Sequence, residues 1–186
     1  MKTGFDFLKT VAPTKQLDIE MLESNHALDL PPVFKLFVRS FVLGDDKLEI
    51  DKFIDKDNDQ VTLGSIVITS IENETVYLNG LMDLNTIFRQ WEGSKFDVEW
   101  NEYRLIRIGY LGQAGFGGVY LGCGPQNSDE IWRFNADALK QFTKLNNNIF
   151  EFVTRLQFSY DFSNLDQSSY SHLYKNWGDE CWRIKI

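Results

Sequence analysis

The sequence predicts an α+β domain with a mainly antiparallel sheet, and three observations carry that expectation. Two apolar stripes have helical spacing: Phe34, Phe37, Val38 and Phe41 stand at i, i+3, i+4 and i+7, and so do Ile149, Phe152, Val153 and Leu156. Between them lie short β-branched and aromatic runs in hairpin succession, a pattern that favours an antiparallel over a doubly wound sheet. The third observation is Ile108–Phe134, in which seven glycines (109, 112, 115, 117, 118, 122 and 124) punctuate strand-like runs.

Each element has a local reason. A first helix is expected over 15–26, with Leu17, Met21 and Leu22 on one side. Leu30-Pro31 opens a second, because proline suits a first helical turn, and Gly44 is expected to stop it. Strands are expected at 48–54, 63–71 and 75–78, with Asn73-Glu74 as a tight turn. A short helix over 84–91 groups Ile87, Phe88 and Trp91, and strands follow at 103–110, 118–122 and 130–134. Asn148-x-x-Glu151 resembles a capping box at the start of the closing helix. The tail, 163–186, is expected to add a short helix and an edge segment carrying Trp177 and Trp182. No internal repeat or interdomain linker interrupts this order, so 1–186 reads as a single domain, its core at about 15–160 and a C-terminal extension at 161–186.

The glycine-rich segment imitates a nucleotide cradle. Leu111-Gly112-x-Ala114-x-Phe116-Gly117-x-Val119-Tyr120 differs from a protein-kinase glycine loop in having Ala114 at the second glycine. The surroundings do not support that reading. Tyr120 leads into Leu-Gly-Cys-Gly-Pro without a strand lysine, neither His26 nor His172 precedes Arg-Asp, and Asp161-Phe162 is followed by Ser163. The Walker A and dinucleotide-binding spacings are absent as well. The glycines are better read as turns and as places where backbones approach closely.

Composition narrows the function classes. The 186 residues are 43% hydrophobic and 15% aromatic, enough for a packed core without a metal or disulfide staple. With 15 phenylalanines and 5 tryptophans, most aromatics are expected to be buried and some to line a contact surface. A formal net charge of −8 disfavours direct nucleic-acid binding, which needs clustered Lys and Arg; it is compatible with a basic protein partner, but plain solubility accounts for it more readily. Met1-Lys2-Thr3-Gly4-Phe5-Asp6-Phe7 has no secretory character, and no run approaches the ~18 apolar residues of a membrane helix. With two cysteines and two separated histidines, neither a disulfide framework nor a zinc site is expected, and a cytoplasmic location is.

Half of the net charge sits in one short run. Asp45–Asp59 holds seven acidic residues and three lysines. Asp55-x-Asp57-x-Asp59 imitates a calcium loop, but Gln60 replaces the glycine of the sharp turn and Ile66 the bidentate glutamate, so no metal is expected. The run reads either as an anionic patch steering a cationic partner or as charges guarding an exposed edge strand. Neither histidine lies in a nucleophile motif, and no cofactor or catalytic residue is specified.

The order of elements resembles the SUKH superfamily, which includes yeast cell-wall assembly regulators and bacterial immunity proteins. Glu23, Leu30-Pro31, Phe34, Phe37 and Gly44 are similar to its opening pattern, an acidic residue in the first helix followed by Leu-Pro and an aromatic-rich helix. Ile108-Gly109, Gly117–Leu121 and Glu130–Phe134 look like its central strands, and Asn148–Val153 like the start of its closing helix. The similarity spans about 17–156. It departs at Val42-Leu43-Gly44, where the family has Asn-Gly-Gly, and in the longer 75–100 region and tail.

The resemblance implies helices packed around the sheet, no enzymatic activity and no cofactor. It also implies a protein partner, commonly a toxin domain such as a nuclease or deaminase that the protein binds and neutralises. An intracellular scaffold or regulator of the cell-wall-assembly type is the alternative, and a small-molecule enzyme using paired carboxylates is a third. The contact residues expected for such a partner are Asp45, Asp46, Asp55, Asp57 and Asp59, with Trp100 and Tyr110 as aromatic anchors.

Overall fold

Residues 64–146 form the centre of the molecule as a succession of antiparallel hairpins. The structure, a computed structural model, describes residues 3–11, 18–44, 52–54, 60–61, 64–111, 117–135, 141–160, 174–177 and 180–183. Within it, β5 (Gly64–Thr69), β6 (Thr75–Leu81), β7 (Leu105–Leu111), β8 (Gly117–Gly122) and β9 (Ile131–Asn135) each pair with the next strand in the chain, ending at β10 (Phe142–Asn146). The strand β11 (Leu156–Tyr160) returns to pair with β5 and completes a curled seven-stranded sheet of order β10-β9-β8-β7-β6-β5-β11. Asn73, at φ 62, makes the β5–β6 turn as the sequence predicts, its N–H donating to Ser70 O at 3.0 Å.

Five α-helices among the described residues pack around this sheet, so the α+β expectation holds. Three of them start on a side-chain cap, each worth about 1 kcal/mol. The Asp18 carboxylate accepts from Met21 N at 2.9 Å to open α1 (Ile19–His26), and Asp83 does the same for Thr86 N at 2.9 Å to open α3 (Leu84–Ser94). Asn148 accepts from Glu151 N at 3.0 Å to open α5 (Ile149–Thr154). The reciprocal half of that capping box is displaced by one residue: Glu151 accepts from Asn147, through its backbone N–H at 3.2 Å and its amide at 2.8 Å. The second helix, α2 (Pro32–Ser40), starts with proline in its first turn, and the short α4 (Val98–Asn101) follows α3.

The core lies between one face of the sheet and these helices. Ile106, Ile108, Val119, Leu121, Ile131 and Leu145 meet Phe34, Phe37, Phe88 and Phe152 there, all at most 2% exposed. Each such side chain contributes roughly 1.5–3 kcal/mol on burial. Two buried carboxylates tie down the opening of the chain, one within it and one to the centre of the molecule. Glu23 accepts from Leu30 N at 2.6 Å and pairs with Lys35, so the Glu23–Leu30-Pro31 pattern closes on itself. Asp129, in the turn before β9, accepts from Phe34 N at 2.9 Å and anchors the start of α2 to the glycine-rich segment.

Several boundaries differ from the sequence expectations. The second helix ends at Ser40 rather than running to Gly44, because Phe41–Val42 leaves it as β2 and pairs with β1 (Lys9–Thr10). The Phe41 ring still packs on Phe37, 5.1 Å between centroids, so the stripe persists across the change of backbone. Likewise Leu156 opens β11 instead of ending α5, yet its side chain is fully buried. Strand β10 and helix α4 were not anticipated. In β10 only Leu145 is a buried apolar residue, and Thr143 supplies the other core position. The first helix is described from Ile19, and the expected residues before 18 lie outside the described residues, as does the short helix expected after 163. The tail strands β12 (Tyr174–Trp177) and β13 (Glu180–Arg183) form a four-stranded sheet with β3 (Lys52–Ile54) and β4 (Gln60–Val61), in the order β13-β12-β3-β4. The extension is therefore joined by backbone pairing to the first third of the chain.

Candidate functional site

The face of the sheet that does not enter the core is aromatic and basic. Across β7, β8, β9 and β10, register sets Arg107 opposite Tyr120, Tyr120 opposite Trp132 and Trp132 opposite Lys144. The alternating residues Ile106, Leu121 and Ile131 face the core, so Arg107, Tyr120, Trp132 and Lys144 share the other side. Gly118, Phe134 and Phe142 continue that face, with Phe134 and Phe142 rings 4.9 Å apart and Tyr120 edge-on to Phe134 at 6.2 Å. Tyr103, 44% exposed, stacks on Phe142 at 4.5 Å and ends the row. Glu130 holds the basic edge, accepting from Trp132 Nε1 at 3.1 Å and from Lys144 Nζ at 2.5 Å.

A β-bulge shapes this face. Register shifts between Arg107 and Gly109. In an unbroken strand residues three apart point to opposite sides, but the extra residue returns Tyr110 to the side of Arg107. Their side chains stack, with the guanidinium carbon 4.8 Å from the tyrosine ring centroid. The guanidinium also donates to Gly117 O at 2.7 Å and Gly109 O at 3.3 Å. Gly118 makes this possible, since a Cβ there would stand 2.6 Å from Arg107 Nε. Gly122 admits a backbone in the same way, because its Cβ would stand 2.0 Å from Asn127 O. The described glycines of the segment thus serve close approach.

Helices α3 and α4 meet this face along a cleft of about 330 Å³. Its walls include Trp91, Trp100 and Tyr120, and its lining carries Asp97, Glu99 and Arg107. Trp91 and Trp100 pack edge to face at 5.7 Å, and the Arg104 guanidinium covers Trp100 at 5.1 Å. The Trp91 indole N–H is buried without a hydrogen-bond partner. Burial pushes the Tyr120 phenol above its ordinary range, and the charges of Glu99 and Asp97 add to the rise while Arg107 opposes it. The phenol is therefore a neutral hydrogen-bonding group. Cys123 is pushed strongly upward by burial and then by the Asp129 charge, so its thiol stays protonated and unreactive.

Of the residues singled out from sequence, Trp100 and Tyr110 fall in this region. Both are half-buried rather than fully exposed: Trp100 lies between Trp91 and Arg104, and Tyr110 between Arg107 and Gln90, whose amide donates to the phenol oxygen at 3.1 Å. Asp45, Asp46, Asp55, Asp57 and Asp59 lie outside the described residues, and the segment 55–59 joins the paired strands β3 and β4. Sequence reasoning missed Arg107, Tyr120, Asp97 and Glu99. The alternation of Gly118, Tyr120, Trp132 and Phe134 with buried aliphatics was the available signal for the sheet residues. Nothing local marked the two carboxylates.

Among the described residues no group of three His, Cys, Asp or Glu side chains is placed to hold a metal ion. His26 is taken up structurally, stacked on Phe88 at 5.0 Å with Nδ1 2.8 Å from Glu92 Oε1. No described helix is long and apolar enough to cross a membrane. A scan against protein-family models found no match to the chain, and a search of curated proteins found none either.

Proposed function

We propose that this chain is a non-enzymatic protein-binding domain, acting in the cytoplasm as an immunity-type protein of the SUKH kind that binds and neutralises a cognate bacterial toxin. The observation that carries the reading is the half-exposed face of Tyr103, Tyr120, Trp132, Phe134 and Phe142 on a rigid sheet. Aromatic side chains with polar tips supply large contact area at little entropic cost, and such residues dominate protein interfaces. The net charge of −8 suits a basic toxin domain by steering its approach.

Co-expression with candidate toxins, taken first from genes neighbouring its own, tests the proposal. Protection of the cells, lost when Trp132 and Phe134 are both changed to alanine in a chain that still folds, is the expected result. Continued killing despite good expression of the unaltered chain overturns it. A capture experiment returning housekeeping proteins and no toxin would instead favour the regulator-type scaffold.

A further inference from the structure

We draw no further inference here: the strongest candidate, the edge of β10 beside the aromatic row of Tyr103, Phe134 and Phe142, adjoins the face already described, and nothing among the described residues shows what covers it.

Discussion

The two faces of strands β7, β8 and β9 are made by alternate residues of the same segments and serve opposite ends. One face, with Ile106, Val119, Leu121 and Ile131, is at most 2% exposed and belongs to the core. The other, with Arg107, Tyr120, Trp132 and Phe134, is half-buried. The first is held by burial alone. The second is held by directional contacts: a guanidinium on two carbonyls, rings edge-on to rings, a carboxylate between an indole and an ammonium. Substitutions on the two faces should therefore fail differently, one in stability and the other in recognition.

Leu121→Ala should give the largest effect, a loss of about 2–5 kcal/mol by denaturant unfolding, because the cavity it leaves is enclosed on every side. A loss under 1 kcal/mol would mean that this face is not packed as described. Gly118→Ala, on the opposite side of the same strand, should cost roughly 1–3 kcal/mol by displacing the Arg107 guanidinium. Combining it with Arg107→Ala should recover part of that loss, and strict additivity in the double-mutant cycle would show that the two do not meet.

The third effect is smaller and depends on pH. Burial raises the Asp83 carboxyl, but hydrogen bonds from the Thr86 hydroxyl and from backbone N–H groups of Thr86 and Asn85 outweigh it and hold the group below its ordinary 3.8. The folded chain thus binds this proton less readily than the unfolded chain does. The stabilisation is present above about pH 4 and is lost as pH falls through the lowered value. Asp83→Asn should flatten thermal melting against pH in that acid window and cost about 1 kcal/mol or less at neutral pH. An unchanged acid slope would remove the assignment. Smallest of all, D97N/E99Q should shift stability within about 0.5 kcal/mol, because these carboxylates have no side-chain partner among the described residues to lose. A large destabilisation would turn the cleft acids into structural residues.

Much of the fold was legible because burial imposes periodicity. Phe34, Phe37 and Val38, or Ile149, Phe152 and Val153, announce a helix whatever surrounds them. Where backbone pairing rather than burial decides, the pattern misleads. Phe41 and Leu156 keep their helical spacing while standing in strands, since a side chain can reach the same core from either backbone. The site was far less legible. Trp100 and Tyr110 were identifiable as large aromatics, but the residues that give the cleft its chemistry converge from α3, α4, β7 and β8. The Arg107–Tyr110 stack was hidden for a sharper reason, because three-residue spacing in a strand predicts opposite faces and only the bulge reverses it.

The return of β11 to pair with β5 also bears on how quickly the chain can fold. Every other neighbour in the seven-stranded sheet is the next strand along, whereas Leu156 must find Ile68 across the rest of the sheet. Closing so long a loop costs entropy before any contact rewards it, and such pairings dominate the contact order that slows folding. The hairpins from β5 to β10 can form early, and the β11 edge, where Thr3 bridges Gln157, is expected to close last. In pulsed hydrogen exchange, amides of β8 and β9 should gain protection before those of β11, and simultaneous protection would mean that the sheet assembles in one step.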